Sequence, residues 1–320
     1  MFKPPFYLKN SHIQTLFATF FRKDRLEKFE VEEFTLSDGD FIETVWKESK
    51  PIDNRPIVVL FHGLAGSVCS PYIIGQMNAL KEQGYAVVLM HFRGCGSKEN
   101  LKPYAYHSGK TDDAREFIEH LVKSYPKSPL HAVGFSIGGN MLLKLLGEWG
   151  EESPLCSAVS VSAPMRLDIC SNTIEKGFAR VYQNYLLKPL KDTLLKKYKK
   201  FNMQELLGIS EDEVTSLKTI RAFDDAYVAP MFGFKSSSDY YEKCSSRQFL
   251  KDIRTPTLIV HALDDPFMSS DILPTKEELS NSIRVEVLAH GGHVGFVMGS
   301  FREPKYWLDS RILKFIKDGV

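Results

Sequence analysis

The chain has 320 residues, 43% hydrophobic and 25% charged, and its 41 Lys and Arg against 40 Asp and Glu leave a formal charge of +1. That mix excludes a disordered, collagen-like or coiled-coil chain, and the missing basic excess argues against a nucleic-acid binder. The length is sufficient for one large buried core.

The first 28 residues form an arm crowded with Phe2, Phe6, Tyr7, Phe17, Phe20 and Phe21. These rings are expected to pack on the domain, with docking on a membrane as the alternative. Pro4 and Pro5 stand where a signal peptide needs its apolar run. The apolar stretch 13–21 is far short of the ~20 residues that span a bilayer. A cytoplasmic location, with peripheral membrane contact as an addition, is therefore the expectation. Five widely spaced cysteines (Cys69, Cys95, Cys156, Cys170, Cys244) with no C-x-x-C pair read as reduced thiols rather than a disulfide framework or a zinc site.

Residues 29–36 and 41–46 flank Ser37-Asp38-Gly39-Asp40, the signature of a hairpin around an Asp-Gly turn. From 57 to 61 the chain is continuously apolar, as expected of a strand buried on both faces. Further runs of this kind are 86–90, 130–135, 158–161, 257–260 and 285–288. Between them lie helical stripes. Ala114, Phe117, Ile118, Leu121, Val122 and Tyr125 share one face, as do Ile137, Met141, Leu142, Leu145, Leu146 and Trp149. Strands alternating with such helices predict an α/β fold with a mostly parallel central sheet.

The alternation stops over 165–249, which is helical in pattern and has no buried strand. The expected organisation is therefore a core of 1–164 and 250–320 interrupted by a helical insertion. Within it, residues 188–200 carry six lysines (Lys188, Lys191, Lys196, Lys197, Lys199, Lys200) against Asp192, a local +5 that leaves the remainder at −4. With Leu190, Leu194, Leu195, Tyr198 and Phe201 at helical spacing, this reads as a basic amphipathic helix. It is either a solvated face packed on the core or a contact for an anionic membrane surface.

The sharpest signal is Gly134-Phe135-Ser136-Ile137-Gly138-Gly139, a G-x-S-x-G motif between a predicted strand and a predicted helix. A serine on so tight a turn needs small neighbours two residues either side, and the following helix N-terminus favours negative charge near Ser136. A nucleophilic serine needs a base, and the base an orienting acid, in the chain order Ser, Asp or Glu, His. The strand ending near Val260 runs into His261-Ala262-Leu263-Asp264-Asp265-Pro266, and the next strand into His290-Gly291-Gly292-His293. Asp265, directly before Pro266, is the preferred acid over Asp264. His293 is preferred over His290 as the base. His261 reads as a satisfied core histidine. For an oxyanion hole, the loop His62-Gly63-Leu64-Ala65-Gly66-Ser67 offers the N–H of Leu64, to act with that of Ile137. The bland alternatives are a Gly-rich turn with Ser136 as a helix cap, and Asp264 or Asp265 as turn caps.

With these residues assembled, the chain resembles the α/β-hydrolase superfamily, and more narrowly the YheT-like (AB hydrolase-4) hydrolases. The resemblance rests on Asn10 to Thr15, His62 to Ser67, His91-Phe92-Arg93-Gly94-Cys95, Tyr106-His107-Ser108-Gly109, Gly134 to Asn140 and Asp264 to Phe267. It implies an α/β-hydrolase fold with a helical lid, a triad of Ser136, Asp265 and His293, and esterase-type hydrolysis, with phospholipids as substrates of relatives in higher organisms.

Ser108-Gly109-Lys110-Thr111 lacks the first glycine of a phosphate-binding loop, and Gly94-Cys95-Gly96 lacks the third glycine of a dinucleotide fingerprint. No metal-ligand spacing occurs, so neither cofactor nor metal is expected. The expectation is a serine hydrolase acting on a small carboxylic ester or an acyl lipid. Acyl transfer by the same residues, or a non-catalytic binding role on the same scaffold, are the alternatives. The oligomeric state is not legible from these patterns.

Overall fold

The computed structural model describes residues 2–318. Its core is a sheet of eight strands: β1 Phe29–Thr35, β2 Phe41–Lys47, β3 Ile57–Phe61, β4 Ala86–Met90, β5 Leu130–Phe135, β6 Ser157–Val161, β7 Thr257–Ala262 and β8 Ile283–Leu288. They lie in the order β1-β2-β4-β3-β5-β6-β7-β8. β1 and β2 form the expected hairpin, β2 meets β4 antiparallel, and every later neighbour is parallel. The parallel strands need both faces covered because their runs are apolar throughout.

Alternation along β3 shows how this is met. Ile57, Val59 and Phe61 pack with α3 (Asp112–Ser124) and α4 (Ile137–Trp149) on one face. Val58 and Leu60 pack with α2 (Pro71–Glu82) and α12 (Trp307–Asp318) on the other. After β3 the chain crosses to β4 on one side, then returns to place β5 on the other. The C-terminal ends of β3 and β5, with Phe61 opposite Gly134, therefore flank the point where strand order reverses, the place where α/β sheets form their sites.

An arm helix, α1 Ser11–Phe21, precedes the sheet. Asn10 starts it, its side chain accepting the N–H groups of His12 and Ile13. Between β6 and β7 every element is helical. α5 Leu167–Ile174 and the twenty-residue α6 Ala179–Tyr198 lead into short helices α7 Met203–Leu207, α8 Glu211–Ser216, α9 Ile220–Phe223 and α10 Ala229–Met231. α11 Ser237–Cys244 returns the chain toward the sheet. These helices hold a separate apolar cluster around Leu187, Leu194, Met203, Phe223, Tyr227 and Tyr240.

Three expectations are corrected. Residues 285–288 do not form a strand buried on both faces, because β8 is the sheet edge and alternates Arg284 and Glu286 with Val285 and Val287. The 188–200 segment is not a uniform basic face. Lys197 is buried, its Nζ donating to the carbonyls of Asn100 and Lys102, while Lys191 donates to those of Thr215 and Leu217 and Lys200 pairs with Glu99. The arm aromatics divide, with Phe2 and Phe17 buried and Phe6 and Phe20 turned outward. Beyond the expected elements, a small hairpin, β9 Val297–Gly299 with β10 Pro304–Tyr306, follows the last sheet strand. Among the described residues no helix is long and apolar enough to cross a membrane.

Candidate active site

Ser136 sits between β5 and α4 with φ 53° and ψ −122°, a strained backbone for a residue with a Cβ. The turn closes because its own N–H donates to Val161 O at 2.8 Å and because Gly138 leaves room beneath it. A Cβ on Gly138 would lie 2.5 Å from His62 O, backbone that cannot yield. The hydroxyl is thus held at the helix N-terminus, over a first turn with no acidic side chain.

β7 and β8 run in parallel register, Ala262 opposite Leu288, so the loops that follow emerge side by side. They bring three of the predicted side chains together. His293 Nε2 lies 3.0 Å from Ser136 Oγ, and His293 Nδ1 lies 2.9 Å from Asp265 Oδ2. Asp265 is buried, and its other oxygen accepts the Phe267 N–H at 2.9 Å. A carboxylate oxygen accepts, so Nδ1 carries the proton and Nε2 is free to accept from the serine. The Phe267 ring stacks on the imidazole at 4.1 Å between centroids.

The rival residues are placed elsewhere. Asp264 accepts the Gly292 N–H at 2.9 Å and faces His290 at 3.3 Å, outside this chain of contacts. His261 is buried as expected, and among the described residues its Nδ1 meets no hydrogen-bond partner in the protein. Burial pushes its pKa down. Burial also pushes the Cys170 thiol up to about 12, with Asp265 adding to the shift, which keeps this neighbouring sulfur from being a thiolate.

The loop after β3 is clamped on both sides of Leu64. Tyr72 Oη accepts the Gly63 N–H and Tyr106 Oη accepts the Ala65 N–H, each at 2.9 Å. Among the described residues, neither the Leu64 N–H nor the Ile137 N–H finds an acceptor in the protein. His62 and His91 brace the loop from behind. His62 Nδ1 bonds Gly63 O at 2.7 Å while its Nε2 accepts the Phe92 N–H, and His91 Nε2 accepts the Val68 N–H. Burial, with His91 adding to it, lowers the His62 pKa to about 3, so the ring stays neutral and able to accept.

Residues without an assigned role in the sequence reading hold the other half of the site. Thr15 Oγ1 accepts the His293 N–H at 2.9 Å. Gln14, fully buried, accepts the Val297 N–H and donates to Val297 O and Leu8 O. Gly292, at φ 57°, lies against α1 so closely that a Cβ would be 2.5 Å from Ser11 O. The Asn10–Thr15 motif, which the sequence marked through the family resemblance without a role, thus seats the histidine loop. Among the described residues no group of three or more His, Cys, Asp or Glu is spaced to hold a metal.

The sequence profile of the α/β-hydrolase fold family matches residues 56–299. YheT of Escherichia coli (strain K12), a candidate esterase, is 41% identical over 304 residues, covering 95% of this chain and 89% of that protein. The phospholipase ABHD3 of Bos taurus is 29% identical over 321 residues, 98% of this chain and 77% of that one. In structure, the Pyrococcus furiosus esterase Pf2001 superposes with a TM-score of 0.56 at 17% identity, covering 99% of both chains. The parallel sheet, the site at its reversal point and these likenesses agree: the chain belongs to the α/β-hydrolase fold family, as a YheT-like hydrolase.

Proposed function

We propose that the protein is a serine hydrolase of carboxylic esters, with Ser136 as nucleophile, His293 as base and Asp265 as its orienting acid. The observation that carries this reading is the continuous hydrogen-bonded line from Asp265 through His293 to a strained Ser136. Ser136 Oγ attacks the acyl carbon as its proton passes to His293 Nε2. The carbonyl oxygen becomes an oxyanion facing the N–H groups of Leu64 and Ile137, each such donor contributing roughly 3 kcal/mol. On collapse the C–O bond to the alcohol breaks, and His293 returns the proton to the leaving oxygen. Water then attacks the acyl-serine, giving its proton to His293, and the acid departs as Ser136 regains its hydrogen.

The helices over 165–249 act in this reading as a lid, since α5 and α6 approach the site. Tyr182 packs on Phe267 at 5.0 Å, and Phe267 covers His293. An apolar wall of this kind suits an acyl chain, and relatives include proteins named as an esterase and as a phospholipase. An acyl lipid or another small ester is the substrate class.

The acid assignment is tested by turnover of a chromogenic short-chain ester. Asp265→Asn is expected to lower kcat by roughly 10³–10⁴-fold through the wrong imidazole tautomer, while Asp264→Asn leaves it within about an order of magnitude. The reverse ranking would place the acid at Asp264.

A further inference from the structure

We propose that α1 and the first half of α6 form a face that docks on an anionic phospholipid surface. On α1, Ile13 and Phe20 stand seven residues apart on the outward side. On α6 the same spacing recurs, with Phe178 at its start and Val181 and Tyr185 following at three and seven residues, all exposed. Phe20 is 69% and Tyr185 76% solvent-accessible, and it is their grouping with Ile13, Phe178 and Val181, rather than any single exposed ring, that marks an interaction surface.

The two stripes belong to one surface. The His12 ring of α1 lies 4.5 Å from Phe178, and its Nδ1 is 3.0 Å from Tyr182 Oη. At the other end, Phe301 packs against Phe17 and Phe21. Phe6, in the turn that precedes α1, is 83% exposed as well.

The charges around this face choose its partner. One residue in eight of the chain is Asp or Glu, yet residues 2–23 and 176–191 contain neither. Lys3, Lys9, Lys23, Lys176, Arg180 and Lys188 are all exposed there. Aromatic rings that enter the interface, ringed by cations that meet lipid phosphates, are the chemistry of a peripheral lipid-binding helix. A second copy of the chain would instead oppose these cations to one another. The face also lies next to the site: Tyr182, between the stripes, packs on Phe267, which stacks on His293. That docking serves catalysis rests on the reading of Ser136 above; docking itself does not.

Cosedimentation with phosphatidylcholine vesicles, with and without phosphatidylglycerol, tests the proposal at low salt. Wild type and Ser136→Ala are expected to bind the anionic vesicles equally, which separates this face from the chemistry. A Phe20→Ser/Tyr185→Ser double variant should lose at least about tenfold in affinity. Ile52→Ser, an exposed apolar residue in the loop after β2, should lose none. If the double variant melts below wild type, Lys9→Glu/Arg180→Glu carries the same test, since it keeps the rings and should abolish the preference for anionic vesicles. No vesicle binding, binding unchanged in these variants, or a dimer in light scattering that the double variant dissociates would overturn the proposal.

Discussion

At Ser136 the backbone is held in a conformation that costs a non-glycine residue roughly 1–3 kcal/mol, and Ala65 in the facing loop is also held at positive φ, 52°. Such strain persists because neighbours over-determine it, and for Ala65 the neighbour is the Tyr106 hydroxyl. Tyr106→Phe keeps the ring stacked on Phe92 but removes the acceptor. The freed N–H costs roughly 1–3 kcal/mol if the loop stays in place, so the loop relaxes and takes the Leu64 N–H with it. Steady-state kinetics on a soluble ester should show kcat lower by about 10- to 100-fold with KM nearly unchanged, part of the loss expected on removing one oxyanion donor. An unchanged kcat would mean that Tyr106 supports only the fold. This contact joins residues 41 apart in the chain, and nothing in the local sequence marks it. The preference for Asp265 over Asp264 rests on the adjacent Pro266, and it is Asp265 that meets His293, whereas nothing in the local sequence marks the turn of Asp264 toward Gly292 and His290.

Among the elements, α1 does more for the site than its interrupted apolar pattern announces. Gln14 makes three hydrogen bonds to backbone from a fully buried position, and two of them hold Val297, just after the histidine loop. Gln14→Leu fills the same space but orphans those groups. A loss of about 3 kcal/mol in chemical denaturation is expected, with kcat falling about tenfold as His293 shifts from its contact with Ser136. Full activity and stability would detach the arm from the site. Most of the parallel strands were legible because their apolar runs are continuous and end at glycine or carboxylate loops. β8 was misjudged although Arg284 and Glu286 already showed the period of two that belongs to an edge. The β9–β10 hairpin has strands of three residues, too short for any periodicity, and its place is set by Gln14 far away in sequence. The helices between β6 and β7 were visible as a class but not as positions, since their order is decided by packing on Tyr240, Phe223 and Leu194 rather than by local propensity.

For the whole molecule, several buried groups make stability depend on pH. His62 and His131 are fully buried, with pKa values lowered to about 3 and about 4, His62 with His91 adding to the effect of burial. Folded, they stay neutral, whereas the unfolded chain takes up their protons below about 6.5. Their contribution is therefore complete above pH 6.5 and is lost as pH falls toward their folded values, at roughly 1.4 kcal/mol per histidine and pH unit. Asp224, buried and raised to about 7, works in the opposite sense, its stability falling as pH rises from about 4 to 7. Two histidines outweigh one carboxylate, so denaturation midpoints should fall between pH 6.5 and 5, and a flat or rising profile would contradict these burials. The near-equal charge count conceals a further large-scale asymmetry, because the stretches free of acid lie together beside the site. The central claim is that Ser136 is an activated nucleophile, and intact-mass analysis after treatment with a fluorophosphonate tests it most directly. Wild type should gain one adduct that peptide mapping assigns to Ser136, and Ser136→Ala should gain none; an unlabelled wild type, or an adduct that survives the substitution, would contradict the account.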